Sequence, residues 1–165
     1  MRSKGLSRKK VLAELKIIRE QDKQYDNGKI LCSLCTTPHP IAQKAYQLFL
    51  SSNLGDAGLF SGSAQLEKEV INQLASLLHG ENCGGSIDSC GTESKLLAML
   101  AARNKAGVNQ PEVVLPKSAH FSFTKICNLL NVKPVYADLD PSFKAVLSSV
   151  EECVNKNTIA ICTNA

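Results

Sequence analysis

This sequence predicts an α/β fold built on a parallel sheet, and three observations carry that expectation. Val113-Val114-Leu115, Val135-Tyr136-Ala137 and Thr158-Ile159-Ala160-Ile161-Cys162 are short apolar runs of strand length, rich in β-branched residues. Two helical patterns lie between them, Phe123 to Leu130 and the series Phe143, Val146, Leu147, Val150, Val154. The connections are short, and strand–helix–strand–helix–strand with short connections packs as parallel strands covered on both faces.

The elements upstream follow in order. Residues 7–25 form an amphipathic helix with Val11, Leu12, Leu15 and Ile18 on one stripe, stopped by Asp26-Asn27-Gly28. Lys29-Ile30-Leu31 suits a short extended piece, and Cys32 to Pro40 is a loop because prolines and threonines interrupt it. Pro40 opens a second helix that runs to about Leu50. Ser51 to Gly62 is a glycine-punctuated loop, too long for a plain connector. Ser63 caps a third helix, with Leu66, Val70, Leu74, Leu77 and Leu78 at helical spacing, Glu67 and Glu69 near its positive end, and Gly80 at its close. A turn of small residues, Ser86 to Glu93, then opens onto an alanine-rich helix that runs to about Lys105. The organisation expected is a helical segment over 1–50 followed by the first part of a larger domain over 51–165.

With 44% hydrophobic and 21% charged residues, the chain is globular and is neither a disordered nor a membrane sequence. Its net charge of +4 is concentrated in Arg2, Lys4, Arg8, Lys9 and Lys10, read as a solvated helix start. No aromatic residues interleave with them, so no nucleic-acid partner is expected. Leu96 to Ala102 is far short of a membrane span, so no membrane partner is expected either. Met1-Arg2-Ser3-Lys4-Gly5 leads into charge, and an odd number of cysteines (seven) suits reduced thiols, so a cytoplasmic location is expected. Cys32-x-x-Cys35 with His39 lacks the second ligand pair of a zinc site, and no metal is expected.

Two stretches are candidates for chemistry. At Ser89-Cys90-Gly91-Thr92-Glu93 hydroxyls and a glycine meet a helix N-terminus, where unpaired N–H groups and the helix dipole favour an anion. On spacing alone a capped helix after a tight turn explains it as well. Lys117-Ser118-Ala119-His120-Phe121-Ser122-Phe123-Thr124-Lys125 follows the first strand and sets His120 at the crevice where α/β sheets bind ligands. There the ring can stack on an aromatic cofactor or move a proton, or it can simply be structural.

Taken together, S-x-G-T-E-S, L-L-A-x-L-A-A-R and S-A-H-F-S-F-x-K resemble the pyridoxal-phosphate-dependent group II amino-acid decarboxylases, which include glutamate decarboxylase. Cys35-Thr36-x-Pro38-His39-Pro40-Ile41-Ala42 and the stretch Asn53-Leu54-Gly55-Asp56-Ala57-Gly58-Leu59-Phe60 with Gly62, Leu66 and Glu67 resemble loops of the archaeal L-tyrosine/L-aspartate decarboxylases. The resemblance runs from about Leu12 to Ile161. It implies the large domain of fold-type I pyridoxal-phosphate enzymes (aspartate-aminotransferase-like), here incomplete and preceded by a helical segment.

The resemblance also implies roles. Cys90, Gly91 and Thr92 would cradle the cofactor phosphate, and His120 would stack on the pyridine ring as a catalytic and cofactor-binding residue. Asn53 and Asp56 would border the amino-acid substrate, with Thr36 and Thr37 as further candidates. Cys90 and Lys95 depart from the family, where glycine and asparagine or a small residue are common. Lys95 either faces outward or reaches the phosphate. The family's Schiff-base lysine and pyridine-pairing aspartate lie downstream of Ala165, and none of Lys117, Lys125, Lys133, Lys144 or Lys156 matches the lysine.

The expectation is therefore an N-terminal fragment, inactive by itself, of a homodimeric decarboxylase of tyrosine, aspartate or glutamate type. The alternatives are a sphingoid-phosphate lyase, an aminotransferase, or a non-catalytic remnant.

Overall fold

The computed structural model describes residues 5–33 and 35–163. Arg2 and Lys4 of the basic cluster, Leu34 of the cysteine loop and Asn164-Ala165 lie outside them. The chain forms two compact units, one ending at Gln65 and one beginning at Leu66.

In the first unit, α1 covers Arg8–Glu20, a single 3-10 turn covers Tyr25–Asn27, and α2 covers Pro40–Leu48. The Ser7 hydroxyl caps α1 by accepting from the Lys10 N–H. The helix ends at Glu20, short of the expected end at Tyr25, and Gly28 takes the left-handed turn at φ 68° that closes the segment. His39 caps α2, its Nδ1 accepting from the Ile41 N–H at 3.2 Å, with Pro40 in the first turn as expected. The apolar stripe of α1 is exposed: Leu12, Leu15 and Ile18 are each about half accessible.

Helix α3, Ser61–Leu77, starts before its expected cap. Ala64 N–H donates to the Phe60 carbonyl at 3.0 Å, so the helical ladder is already running at Ser63. At its end His79, not glycine, takes the left-handed conformation at φ 55°, and Gly80 N–H closes on the Ala75 carbonyl at 2.8 Å.

The rest of the second unit is α4 (Gly91–Ala106), β1 (Glu112–Pro116), α5 (Ser122–Leu130), β2 (Lys133–Ala137), α6 (Leu147–Cys153) and β3 (Thr158–Ile161). The strands are parallel in the order β2-β1-β3, with Val114 opposite Val135 on one side and Ile161 on the other. Right-handed crossovers that leave β1 in one direction and return across it in the other place α5 and α6 on opposite faces. The central strand is buried throughout, whereas β2 and β3 are only partly covered. Pro134 is tolerated because β2 is an edge strand, where a missing N–H leaves no gap in the ladder.

The core forms on one face of β1. Val113 and Leu115 pack with Met99 of α4 and with Phe123, Ile126, Cys127 and Leu130 of α5. Val114, pointing to the other face by strand alternation, is equally buried. Helix α6 is shorter than its apolar pattern. Phe143 lies outside it at φ 62°, in a turn that Asp140 organises by accepting the Ser142 and Lys144 N–H groups at 2.8 and 2.9 Å.

At the N-terminal edge of the sheet the buried Glu112 accepts from Lys133 Nζ at 2.8 Å and from Asn155 Nδ2 at 2.7 Å. Lys133 is its register partner on β2, and Asn155 lies just before β3. One carboxylate thereby ties β1 to its neighbours on both sides.

Candidate functional site

Helix α4 begins at Gly91, and the approach to it is held from α3. The Glu67 carboxylate accepts the Ile87 N–H at 2.7 Å, and Ser86 donates to Asp88 at 2.7 Å. Gly85 passes close to α3, where an added Cβ would come 3.3 Å from the Ile71 side chain. Glu93 then reaches back, accepting from the Ser89 N–H at 2.9 Å and from the Ser89 hydroxyl. The carboxylate at the third helical position thus satisfies the N–H of the residue just before the N-cap, a variation on the capping box, which uses the N-cap N–H itself.

Cys90 is the N-cap residue, in an extended conformation. Its thiol lies against the first turn without forming a full cap hydrogen bond. The Glu93 N–H, then the Thr92 N–H and the Ser89 hydroxyl, hold it below the ordinary thiol pKa. These donors favour negative charge at one point, as the start of a helix does. A Cβ on Gly91 would meet open space, so the turn leaves room for a ligand in front of it. The Glu93 carboxylate opposes a further anion, but its charge is engaged by Ser89, which also keeps its own pKa low. The donor set fits a phosphate.

The second stretch lies past the tip of β1. Phe123 N–H donates to the His120 carbonyl at 3.0 Å, which sets the ring at the threshold of α5. Ser122 N–H donates to His120 Nδ1 at 3.1 Å, and the Ser122 hydroxyl lies 2.8 Å from the same nitrogen. Phe121 packs against the imidazole, the ring centroids 4.2 Å apart and tilted by 30°. The imidazole is itself exposed, so a further flat group can reach it. Lys117 and Asp138, the residues that follow β1 and β2, form an ion pair.

The two stretches are physically linked. Lys95 Nζ donates to Ser122 Oγ at 2.9 Å and sits 5.3 Å from the centre of the Phe123 ring. Lys95 therefore turns toward α5, and one helical turn of about 5.4 Å separates it from Gly91. Ser122 is nearly inaccessible, and the sequence marks it only as a member of the S-A-H-F-S-F-x-K string. Cys127, raised in pKa by burial and then by the neighbouring Cys162, belongs to the core.

Asn53 and Asp56 lie in the first unit, while Cys90, Gly91, Thr92 and His120 lie in the second. Asn53 Oδ1 accepts the Gly55 N–H at 3.1 Å, and Asp56 Oδ1 accepts the Gly58 and Leu59 N–H groups at 2.9 and 3.3 Å. Both side chains thus shape their own loop by local turns. Thr36 and Thr37 are exposed. Among the described residues no three His, Cys, Asp or Glu side chains gather to hold a metal ion. None of the described helices is long and apolar enough to cross a membrane.

Residues 63–163 match the profile of the DegT/DnrJ/EryC1/StrS aminotransferase family. Over 158 residues the chain is 45% identical to the L-aspartate decarboxylase of Thermococcus kodakarensis, covering 96% of this chain and 41% of that protein. Over 164 residues it is 42% identical to the "Probable L-tyrosine/L-aspartate decarboxylase" of Methanosphaera stadtmanae, covering 98% of this chain and 42% of that protein. The structure of the sphingosine-1-phosphate lyase of Burkholderia pseudomallei superposes with a TM-score of 0.85 at 27% identity, covering 98% of this chain and 41% of that one. The chain thus spans about two-fifths of the length of the curated relatives it matches. Its fold is the large-domain α/β fold of fold-type I enzymes that the motifs implied.

Proposed function

This chain belongs to the DegT/DnrJ/EryC1/StrS aminotransferase family, and from that premise we propose that it supplies the phosphate-binding part of a pyridoxal-phosphate-dependent decarboxylase of aspartate, tyrosine or glutamate. One observation carries the reading. Gly91-Thr92, at an open helix start, and His120, in the loop that enters the neighbouring helix α5, are held in one scaffold by the Lys95–Ser122 bond. Decarboxylation is preferred to amino transfer because the 45% identity to an L-aspartate decarboxylase extends over nearly the whole chain. The likeness to a sphingosine-phosphate lyase, at 27% identity, is the weaker argument for carbon–carbon cleavage of a phosphorylated lipid.

The N–H groups of Gly91, Thr92 and Glu93 at the start of α4, with the Thr92 hydroxyl, would bind the cofactor phosphate, and the Cys90 thiol would give way to it. His120 would lie against the face of the pyridine ring, its Nδ1 held by Ser122 so that the imidazole cannot swing away. Asn53 and Asp56 would fix the loop beside the substrate and help select the amino acid. When bound, pyridoxal phosphate supplies the electron sink for the pair left behind as the α-carboxylate departs as carbon dioxide. The protein as a whole would be a homodimer.

Titrating the chain with pyridoxal phosphate, followed by absorbance, tests the cradle. Saturable binding is expected, weakened roughly ten-fold by Thr92→Val, about what one to two net hydrogen bonds are worth. Borohydride is expected to trap no single-lysine adduct, and a stoichiometric adduct at one lysine would overturn the reading that none of this chain's lysines forms the Schiff base. Carbon dioxide release from aspartate, tyrosine and glutamate, measured on the longest protein that carries this sequence, identifies the substrate. Release from none of the three would overturn the decarboxylase reading.

A further inference from the structure

We infer that Lys95 is a positioning residue which, acting through Ser122, fixes the tautomer of His120 with its proton on Nε2. The argument is a count of donors. A lysine ammonium donates and never accepts, so at 2.9 Å from Lys95 Nζ the Ser122 Oγ is the acceptor. A backbone N–H likewise only donates, so the Ser122 N–H at 3.1 Å makes His120 Nδ1 an acceptor. The Ser122 hydroxyl, with its oxygen lone pair engaged by Lys95, sends its own proton along the 2.8 Å contact to that same nitrogen. Nδ1 therefore receives two hydrogen bonds and carries no proton. The ring proton is on Nε2, the nitrogen away from the scaffold.

The arrangement is deliberate in its placement. Ser122 is 3% exposed, so its hydroxyl has no water to exchange partners with. Lys95 is held at its other side by the Phe123 ring, 5.3 Å away. A charged donor polarises the hydroxyl it binds and strengthens the bond that hydroxyl gives. The effect is to make an N–H donor of the exposed edge of His120, and to set the ring plane from α4, the helix whose start is the anion site. The tautomer follows from this chain's own residues. Its use in the reaction rests on the function proposed above, where a fixed Nε2–H would be the group presented to the carboxylate or the reacting carbon of a bound amino acid.

Nitrogen-15 NMR of the cofactor-free chain, with long-range correlations from the His120 ring protons, reads the tautomer directly. The expected spectrum has Nδ1 at the shift of an unprotonated acceptor and Nε2 at that of a protonated nitrogen. Lys95→Met is expected to shift the tautomer ratio toward Nδ1–H by roughly five-fold, the equilibrium change that one net hydrogen bond produces. Lys95→Arg, which keeps a donor, is expected to restore the ratio. Ser122→Ala removes the relay from its other end and gives a second variant should Lys95→Met lose its native amide dispersion. A wild-type ring protonated on Nδ1, or a ratio unchanged in a natively dispersed Lys95→Met, would overturn the inference, as would an unchanged ratio in Ser122→Ala should Lys95→Met not fold. Because the tautomer is read without pyridoxal phosphate, a chain that fails to bind the cofactor overturns the proposed function and leaves the tautomer result to stand by its own spectrum.

Discussion

Cys90 is the residue on which the electrostatics of the proposed anion site is most easily measured. The N–H groups of Glu93 and Thr92 and the Ser89 hydroxyl lower its pKa, so more of it is thiolate at neutral pH than for a free thiol. Cys127 and Cys162 are raised by burial and carry less. Alkylation by iodoacetamide, followed by peptide mass spectrometry, should therefore modify Cys90 faster than either. The difference from the part-exposed Cys162 should shrink as pH rises and both become thiolates, whereas Cys127, buried in the core, should stay slow. Inorganic phosphate or pyridoxal phosphate seated on the same N–H groups should slow the modification of Cys90 and leave Cys127 and Cys162 unaffected. Equal rates with and without pyridoxal phosphate would place the ligand elsewhere. Neither the lowered pKa nor the Lys95–Ser122 bond is legible in the sequence. The thiol depends on the direction in which three donors point, and the bond joins residues 27 positions apart.

Among the elements, α5 and β1 were fully foreseeable. Phe123, Ile126, Cys127 and Leu130 repeat at helical spacing, and the alternation of Val113 and Leu115 with Val114 needs a covered sheet; the core uses these residues. Ile126 is completely buried, so Ile126→Ala should destabilise the second unit by about 2–5 kcal/mol in urea denaturation. Helix ends were less legible, because caps are decided by backbone geometry that several residues can satisfy. Ser63 has the chemistry of a cap, yet the ladder starts a turn before it. Phe143 has helical spacing with Leu147, yet the Asp140 turn claims it. At the end of α3, His79 sits in the left-handed region, which costs a residue with a Cβ roughly 1–2 kcal/mol. His79→Gly should raise the denaturation midpoint by up to about 1 kcal/mol in stability, after the entropy glycine loses on folding. A lower midpoint would show that the imidazole contributes more than the strain costs.

Across the whole second unit, the clasp at Glu112 links the three strands. Asn155 first, and Lys133 second, hold its carboxyl below the ordinary carboxylate pKa. A folded pKa below the unfolded one means the clasp stabilises the fold fully above the unfolded value. That contribution is lost as pH falls through the lower, folded value. Stability measured by urea midpoint should therefore drop as pH falls below about 4.5, the usual value for a glutamate. Glu112→Gln should be less stable at neutral pH and should lose that part of the acid dependence. An identical acid profile in the variant would assign the dependence to other carboxylates.

The sequence alone determined the class of this molecule. Its apolar periods changed from helical to strand spacing at the right places, and its small-residue turn and His120 segment are local strings whose chemistry can be named without coordinates. Periodicity and motif are properties of neighbours along the chain, so they survive in the sequence. The tertiary structure decided what those motifs hold. It turned Lys95 inward, buried Ser122 beneath His120, aimed the Thr92 and Glu93 N–H groups at the Cys90 thiol, and assigned Glu67 to the approach loop rather than to its own helix dipole. Each of these depends on which faces of two elements meet, and packing alone settles that.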